Sequence, residues 1–420
     1  MSTAQDFICR HGLAPLPFDP VEEAERMLED MREGLLGRVR SIPMIPAYVS
    51  NDGAVPLDRS AVVIDAGGTN FRSALVRFTQ TGYEVAELKK TRMPGVAAPC
   101  TWEDFIRFVA DEIQPLLDRA DSIGFCFSYS AEITPDMDGR VNCIDKEVVV
   151  TGSRGRLIGA SLLEELSRRG VSGKRVIVLN DTVAVLLGGA SLLDKSDYSG
   201  FIGQVSGTGT NTCVSLPCRD IPKLGTDSPQ GMLINLESGF YTGIRGGDID
   251  RRLDAESLNP GSKLFEKLSS GAYLGELCRL ALATAADEGL LSLEGAGIAR
   301  RLEGVDGADV DAWARGGFPV GCDWDKELVR ELSRAILMRS AGCMCVNLLA
   351  LALLTGQGRE PERPICVCAE GSLVQKSDCY REQLTALLEE HGRERLGLHL
   401  LLRVGNGTTL PGAAAAALLN

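Results

Sequence analysis

The sequence predicts an α/β protein that is built from two related halves. Short apolar runs rich in Val and Ile, such as Ala61-Val62-Val63-Ile64, alternate with segments of helical periodicity, which indicates buried strands joined by helices. Two of these strands end in turns of similar composition. At about 150 residues per domain, the chain of 420 residues is long enough for two or three domains, each with its own apolar core.

The two similar turns are Asp65-Ala66-Gly67-Gly68-Thr69-Asn70 and Ser206-Gly207-Thr208-Gly209-Thr210-Asn211. Each follows a strand, ends in Thr-Asn and leads into a returning strand. This similarity predicts a duplicated α/β domain, in which each copy brings one hairpin turn to a shared cleft. The alternative is coincidence, because tight hairpin turns require Gly in any protein.

Periodicity and capping residues place the other elements. Asp19 suits an N-cap and Pro20 the first helical position, so we expect a helix from there to about residue 40. Other helices are expected at 101–120, 157–169, 259–288 and 326–354, with an alanine-rich helix after the Gly/Thr turn that begins at 405. Other strands are expected at 122–129, 175–179, on both sides of the second turn and at 365–369.

The charge and hydropathy of the sequence limit the classes of partner molecule that are expected. The formal charge of −13 repels phosphate backbones, which disfavours nucleic acid. No basic segment followed by an apolar run opens the sequence, and the longest apolar stretch, residues 341–354, is shorter than the roughly 20 residues of a membrane span. We therefore expect a cytoplasmic protein without a membrane partner, and a buried core helix at 341–354.

The cysteine and histidine content limits the kinds of metal site and catalytic site that are expected. The 13 cysteines fit reduced thiols, and the pairs Cys343/Cys345 and Cys366/Cys368 have no neighbouring histidine or second pair, so buried thiols are favoured over structural zinc. The 3 histidines lie outside any Gly-rich or carboxylate-rich motif, which disfavours a histidine-based triad. The chemistry is expected to depend on Asp, Glu, Lys and backbone amides.

The Gly-rich turns suit phosphate binding. Backbone N–H groups bind phosphate oxygens, Gly permits close approach, and Thr hydroxyls add donors. The sequence has no GxxxxGK[ST] motif and no strand–GxGxxG–helix unit, because Gly207-Thr208-Gly209 leads into another strand. Two hairpin turns that hold a phosphate chain from opposite domains are a different solution.

Two acidic residues lie at the ends of apolar strands, and the sequence allows two interpretations of each. Asp65 either accepts amide hydrogens from its own turn or holds hydrated Mg²⁺ beside phosphates, with Arg72 adding positive charge to a transferring phosphoryl group. Asp181 is either a general base or the cap of the helix after it, and Asn180 is a sugar or carbonyl ligand. Glu237 and Ser128 also lie in apolar contexts, and such carboxylates, amides and hydroxyls suit vicinal sugar hydroxyls.

Together these residues resemble the hexokinase family of ATP-dependent sugar kinases, within the actin–Hsp70–sugar kinase superfamily. The resemblance covers the chain from about residue 27 onward. Besides the two turns, the matching blocks are Gly124-Phe125-Cys126-Phe127-Ser128, Asn180-Asp181-Thr182-Val183, Ile234-Asn235-Leu236-Glu237-Ser238-Gly239, Asn259-Pro260-Gly261, Phe265-Glu266-Lys267-Leu268 and Glu370-Gly371-Ser372.

The resemblance implies an actin-like ATPase fold, a duplicated ribonuclease H-like architecture with a cleft between a small and a large domain. It places an N-terminal helix and linker at residues 1–52, packed on the large domain. The small domain is expected at 53–181 and the large domain at 182–406. Residues 407–420 form a C-terminal helix that returns to the small domain.

The resemblance also implies roles for individual residues. Sugar ligands would be Ser128, Asp145, Lys146, Asn180, Asp181, Asn211, Glu237 and Glu266. ATP would contact Asp65, Gly67, Gly68, Thr69, Asn70, Gly207, Thr208, Gly209, Thr210, Gly371, Ser372 and Gly407. Asp181 would be the base for the sugar 6-hydroxyl, with Lys146 and Arg72 as further catalytic residues, and Asp65 would hold Mg²⁺ through water.

Several positions depart from the family pattern. Ser130 stands where the family has Pro, Asp145 replaces the Thr that precedes Lys146, Ser238 replaces a Trp, and Leu410-Pro411 alters the last turn. These changes bear on the sugar that is preferred and leave phosphoryl transfer credible.

The function implied is ATP-dependent phosphorylation of a hexose, glucose above all, at its 6-hydroxyl, as the first step of glycolysis. A non-catalytic sugar sensor on the same fold is one alternative, and a kinase for another hexose or an amino sugar is another. The partners expected are a hexose and ATP with Mg²⁺, and the expected assembly is a monomer or a homodimer.

Overall fold

The computed structural model describes residues 3–144, 148–319 and 322–420. Two large sheets organise the chain. The strands are β1 (Ile45–Pro46), β2 (Ser60–Gly67), β3 (Asn70–Thr79), β4 (Gly82–Arg92), β5 (Cys100–Thr101), β6 (Ser122–Phe127), β7 (Ser130–Ile133), β8 (Gly139–Cys143), β9 (Val150–Thr151), β10 (Arg175–Leu179), β11 (Gly200–Ser206), β12 (Thr210–Pro217), β13 (Gly231–Asn235), β14 (Ile365–Glu370) and β15 (Leu400–Val404).

The two large sheets share one topology. The first sheet has the order β10-β6-β2-β3-β4, and the second has β15-β14-β11-β12-β13, with β1 added at its edge. In both sheets the first three strands are parallel to one another, and the last two pair antiparallel. The repeated turns join β2 to β3 and β11 to β12, which are equivalent positions. The duplication predicted from the turns is therefore present in the fold.

The helices cover the sheets. They are α1 (Thr3–Arg10), α2 (Pro20–Leu35), α3 (Trp102–Ile113), α4 (Ile158–Arg168), α5 (Asp181–Ala190), α6 (Asp248–Glu256), α7 (Leu264–Ser269), α8 (Gly271–Asp287), α9 (Leu293–Ala299), α10 (Gly307–Ala314), α11 (Asp323–Thr355), α12 (Ser372–Lys376), α13 (Asp378–Leu387) and α14 (Thr409–Leu419). A π-helical segment, Leu388–Leu396, continues α13.

The N-terminal helices pack on the second half of the chain. Asp19 caps α2 as predicted, since its carboxylate accepts hydrogen bonds from the amides of Val21 and Glu22. The helix ends at Leu35, not near residue 40, because Gly37 adopts a left-handed φ of +76° that turns the chain away. Helices α1 and α2 both lie against α11.

Helix α11 is the centre of the larger core. It is long and apolar enough to span a bilayer, yet 89% of its most apolar stretch is buried inside the protein, as expected for the core helix predicted at 341–354. Within it, Arg339 pairs with Asp250 of α6 through two hydrogen bonds of 2.6 and 2.8 Å. Both side chains are buried, so the pair links α6 to the core helix.

Helices α5 and α14 lie between the two sheets. Helix α14 lies against β2 and β6 of the first sheet and against α5, and α5 in turn contacts β11 and β14 of the second. The approach is close because small residues meet: a Cβ on Gly412 would lie 1.8 Å from the carbonyl oxygen of Ala184, and one on Gly124 would lie 2.1 Å from that of Ala413. The division into domains at 53–181 and 182–406 stays a prediction.

Some other elements of the structure differ in detail from the sequence predictions. The helix predicted at 101–120 ends at Ile113 and continues as a 3₁₀ turn, Gln114–Arg119, since Pro115 lacks the amide hydrogen that an α-helix needs. Helix α1 and strand β4 were not predicted. All 13 cysteines are free thiols, and the Sγ atoms of Cys366 and Cys368 are 3.9 Å apart.

Candidate active site

The first Gly-rich turn joins β2 to β3, with Gly67 paired to Asn70. Gly68 has a φ of +52°, the left-handed conformation that favours glycine, and its carbonyl oxygen accepts a hydrogen bond from the hydroxyl of Tyr129. Ser128 borders the same turn, because a Cβ on Gly67 would lie 3.2 Å from its Oγ. The predicted phosphate turn and the predicted sugar ligand Ser128 are therefore neighbours.

Asp65 is buried at the end of β2. Its carboxylate pairs with the guanidinium of Arg72 and accepts a hydrogen bond of 3.2 Å from the hydroxyl of Thr409. Burial raises the pKa of Asp65, and Arg72 acts in the opposite direction. Arg72 therefore lies at Asp65 beside the first turn, and its predicted role toward a transferring phosphoryl group stays a prediction.

The residues near Asp65 fit a hydrated Mg²⁺. Such an ion needs few protein ligands, because it keeps most of its waters and takes the rest from one or two carboxylates and the phosphates of the substrate. Within residues 3–144, 148–319 and 322–420, no three His, Cys, Asp or Glu side chains are grouped to hold a metal directly. The acid that could hold such an ion through water is Asp65, at the end of β2 beside the first Gly-rich turn.

The second Gly-rich turn joins β11 to β12 beside the start of α8. The amide of Gly271 donates to the carbonyl oxygen of Gly207 over 2.7 Å, which fixes the turn to that helix. The hydroxyl of Thr210 is buried and has no hydrogen-bond partner among the residues that the structure describes. A buried unpaired donor is costly unless a ligand satisfies it, and a phosphate oxygen would do so.

The predicted adenosine residues lie next to this second turn. Gly371 has a φ of +121°, and a Cβ there would lie 2.4 Å from the carbonyl oxygen of Ser206, so only glycine fits. Ser372 begins α12 directly after it. The amides of Gly407 and Thr408 both donate over 2.9 Å to the carboxylate of Glu370. Glu370 was not predicted as a site residue, although it holds the last Gly turn against β14.

Asn180 and Asp181 begin α5 at the carboxyl end of β10. The amide oxygen of Asn180 caps the helix by accepting from the backbone N–H of Thr182 over 2.9 Å. The capping role considered for Asp181 therefore belongs to Asn180. The carboxylate of Asp181 accepts only a weak hydrogen bond of 3.3 Å from the Thr182 hydroxyl among the bonds of the described residues, so it is available to act as a base.

An amide–carboxylate network lies at the ends of β12 and β13. The amide nitrogen of Asn211 donates to Asn235 over 2.7 Å and to Glu237 over 3.4 Å. The amide nitrogen of Asn235 donates to the same oxygen of Glu237 over 2.8 Å. Asn235 was missed in the sequence, and the only signal was one polar residue in the apolar run that leads to Glu237. The network fixes the orientation of the Glu237 carboxylate.

Glu237 has an unusual backbone conformation and a shifted side-chain pKa. Its φ of +57° is left-handed, which is uncommon outside glycine and is often found at functional sites. Burial raises the pKa of Glu237, while the hydrogen bond from Asn235 and the charge of Lys263 lower it. The charge of Asp181 adds to the rise for both Glu237 and Asp65, so these three acids are near enough to influence one another.

A cavity of about 80 Å³ adjoins this network. Asn180, Asn235 and Glu237 supply its polar lining, and Ser130, at the family's Pro position, also borders it. The remaining lining is Pro43, Ile45, Pro46, Ala47, Phe127, Tyr129, Ala131, Ile133, Val178, Leu179, Val183 and Phe240. Polar groups at one side of an apolar cavity suit a sugar, which has hydroxyls at its edge and C–H groups on its faces.

The structure thus brings together most of the predicted residues. The carboxylate of Glu266 reaches the second turn, 3.3 Å from the amide nitrogen of Thr210. Ser238, at the family's Trp position, is buried, and its amide donates to Asn211. Asp145 and Lys146 lie outside the described residues, so their predicted contacts with sugar rest on the sequence alone.

Comparison with known families decides the classification. A family model described as Hexokinase matches residues 201–419, and a second model of the same description matches residues 20–191. The chain belongs to the hexokinase family. Hexokinase-2, chloroplastic, of Nicotiana tabacum is 32% identical over 284 residues, which are 63% of this chain and 56% of that protein. Hexokinase-1 of Saccharomyces cerevisiae is 29% identical over 286 residues, 64% of this chain and 58% of that protein.

The matched part of this hexokinase-family chain spans little more than half the length of these curated relatives. Solved structures match it over nearly its whole length. A structure titled hexokinase from Schistosoma mansoni complexed with glucose has a TM-score of 0.75 at 22% identity and covers 99% of this chain and 98% of its own. Another, titled crystal structure of hexokinase, has a TM-score of 0.80 at 20% identity, with both chains covered completely. These likenesses show the two-domain, actin-like sugar kinase fold.

Proposed function

We propose that this chain is an ATP-dependent hexose kinase that transfers the γ-phosphoryl group to the 6-hydroxyl of a hexose. The observation that carries the proposal is the position of Asp181. It lies at the carboxyl end of β10, near enough to raise the pKa of both Asp65 and Glu237. One acid belongs to the first phosphate turn and the other to the amide network. A base between these groups can serve a hydroxyl held by the network.

The network supplies sugar binding in this proposal. Because Asn235 and Asn211 both donate to one oxygen of Glu237, the other carboxylate oxygen can accept from sugar hydroxyls. Glu266 adds a second carboxylate, and the cavity beside Glu237 takes the apolar face of the ring. Lys146 and Asp145 would complete the sugar contacts from the small domain.

The reaction follows from the position of each group. Asp181 accepts the proton of the 6-hydroxyl as its oxygen bonds to the γ-phosphorus, the bond between that phosphorus and the β-phosphate oxygen breaks, and ADP leaves. The backbone amides of the two turns stabilise the phosphate oxygens. The unpaired hydroxyl of Thr210 adds a donor. Mg²⁺, when bound, neutralises phosphate charge, and Asp65 would hold it through water. Closure of the two halves around the sugar would exclude competing water.

The proposal includes glucose as the acceptor and the first step of glycolysis as the place of the reaction. It also includes a cytoplasmic location and a monomeric or homodimeric state. Support for a neutral, hydroxyl-rich sugar such as glucose comes from the amide–carboxylate network, whose carboxylate accepts from hydroxyls and whose amides can donate or accept. The relatives do not support a cytoplasmic location, since the tobacco protein is named as chloroplastic.

A coupled assay tests the proposal. The purified chain is incubated with ATP, Mg²⁺ and each of glucose, fructose, mannose, galactose and glucosamine, and ADP release is followed. We expect turnover with at least one hexose and formation of the 6-phosphate by NMR. Sugar binding without turnover would favour the non-catalytic sensor, and the absence of both binding and turnover would overturn the proposal.

A further inference from the structure

Lys223 holds the chain segment that forms one wall of the cavity proposed to bind sugar. It is half-buried in a 3₁₀ turn, Pro222–Leu224, that follows β12. Its ammonium donates hydrogen bonds to three backbone carbonyl oxygens, those of Gly34 over 3.0 Å, Pro43 over 2.9 Å and Met44. These bonds join the last turn of α2 to residues 43–47, the wall segment.

The wall segment belongs to the sugar site on two counts. It supplies four residues of the cavity lining, Pro43, Ile45, Pro46 and Ala47. It is also tied to the strand that carries the amide network, because Ile45 pairs with Asn235 and the amide of Met44 donates to the carbonyl oxygen of Leu236 over 3.4 Å. A displacement of the segment would therefore change both the apolar wall and the position of the network.

The backbone of this region depends on support from outside it. Met44 has a left-handed φ of +52°, which is uncommon for a residue other than glycine. Asp30 of α2 holds the preceding residues, since its carboxylate accepts from the amides of Ser41 over 3.2 Å and Ile42 over 2.9 Å. Lys223 holds the wall segment itself. Unfavourable backbone conformations persist only where neighbouring groups enforce them in this way.

The ammonium of Lys223 depends on the same carbonyl oxygens. Burial lowers the pKa of Lys223 to about 8, and no carboxylate among the described residues pairs with it to oppose that effect. A buried cation without an anion is costly unless hydrogen bonds replace its water. The carbonyl of Gly34, at the negative end of α2, helps to do so. The lysine and the wall segment therefore keep each other in one arrangement.

We propose that Lys223 is a positioning residue for the sugar, because it fixes the wall segment in the place where the cavity and the amide network together fit a hexose. The inference rests on the proposed function and names a residue that acts on the same site through the backbone. The second Gly-rich turn is held by other residues, Glu266 and Gly271. Hexose binding should therefore depend on Lys223, and ATP binding should not.

The first experiment replaces the ammonium and keeps the apolar stem, as Lys223→Met. Assays are run at about pH 7, below the pKa of the amine. We expect the KM for hexose to rise on the order of 10-fold, as small misplacements of binding groups do, with the KM for ATP unchanged. A role limited to stability would lower kcat through loss of folded protein and would leave both KM values as they are.

The second experiment restores the cation from solution. Lys223→Ala removes the atoms that n-propylammonium contains, so this amine can donate to the same carbonyl oxygens. It should lower the raised KM for hexose toward that of the unmodified chain. Tetramethylammonium has the same charge and no N–H donor, so it should have no such effect. Lys223→Gln keeps N–H donors without the charge, and this milder variant should raise the KM by a smaller factor if Lys223→Met does not fold.

A matched control is Lys195→Met. The ammonium of Lys195 also donates to backbone carbonyl oxygens, those of Asn51 over 2.5 Å and Gly53 over 2.9 Å, and burial lowers its pKa as well. These residues line a different cavity from the one beside Glu237. The variant should therefore leave the KM for hexose unchanged.

The outcomes separate the two proposals, and titration calorimetry with hexose supplies a Kd where turnover is absent. Turnover with an unchanged KM for hexose in Lys223→Met, a rise equal to that of Lys195→Met, or a raised KM that n-propylammonium does not lower overturns the role of Lys223 and leaves the kinase proposal standing. Hexose binding without turnover in the unmodified chain, with a weaker Kd in Lys223→Met, overturns the kinase proposal and supports Lys223. If the unmodified chain neither binds nor phosphorylates a hexose, both are wrong.

Discussion

The carboxylate of Glu266 accepts a hydrogen bond of 3.3 Å from the backbone amide of Thr210. An acid proposed to bind sugar thus holds the turn proposed to bind phosphate. The two parts of the site are linked by one side chain, so a change at Glu266 should be felt by both substrates.

Glu266→Ala should raise the KM for hexose and the KM for ATP together, each by about 10-fold. The change removes a charged acceptor for the sugar hydroxyls, and it removes the acceptor that holds the phosphate-binding turn through Thr210. Glu266→Gln keeps an oxygen that can accept from Thr210, so it should raise mainly the KM for hexose. Steady-state kinetics with each substrate varied in turn measure both effects. An unchanged KM for ATP in Glu266→Ala would show that the contact does not position the turn.

Asp181→Ala should lower kcat by about 10²–10⁴-fold, the usual contribution of a positioned general base. The helix should survive, because Asn180 and not Asp181 caps it. Circular dichroism and a thermal melt confirm folding, and Asp194→Ala, which removes an exposed carboxylate from a 3₁₀ turn, is the control. Near-normal turnover by folded Asp181→Ala would exclude it as the base.

Asn235→Leu should move the acid limb of the pH profile of kcat/KM to higher pH. The hydrogen bond from Asn235 favours the ionised form of Glu237, and burial alone already raises the pKa of that acid. Loss of the donor therefore raises the pKa further, and the ionised form that accepts from sugar is lost at a higher pH as the solution is acidified.

The control for this profile is Asn347→Leu. Asn347 is also buried, but it pairs with Thr212 inside the core, with a hydrogen bond of 3.1 Å. It should lower stability without moving the acid limb. If both variants shift the limb equally, the shift reflects general loosening and Asn235 has no specific effect on Glu237.

Arg339→Met should lower the free energy of unfolding by about 3–5 kcal/mol, because it leaves the buried carboxylate of Asp250 without its cation. Urea unfolding followed by circular dichroism measures this. Replacing both partners, as Arg339→Met with Asp250→Leu, should recover much of the loss. Arg119→Ala breaks the exposed pair with Glu87 and should cause no resolvable change. A loss no larger than that of Arg119→Ala would contradict the argument.

Local patterns in the sequence were sufficient for the strands that border the two Gly-rich turns and for β10, although they missed β4. Strand β10 has the predicted bounds, and both hairpins lie where their Gly-Thr composition placed them, since these features depend on neighbouring residues. Asp19 caps α2 for the same reason. The predicted end of α2 was wrong, because hydrophobic periodicity does not report the φ angle of a single glycine.

Contacts between distant segments could not be predicted in this way. The hydrogen bonds of Glu370 to Gly407 and Thr408, and of Asn235 to Glu237 and Asn211, depend on which elements meet. Each residue looks ordinary in its local context. The choice between Asn180 and Asp181 as helix cap likewise depends on side-chain orientation, which spacing does not specify.

The packing of α14 has a consequence for synthesis of the protein. Strands β2 and β6 leave the ribosome early, but one of their faces is covered by α14, which is made long after them. Until then, apolar residues such as Val63 remain without their final neighbours. The first sheet therefore cannot reach its native state by itself during translation, and a nascent chain cut before residue 409 should be a chaperone client or an aggregate.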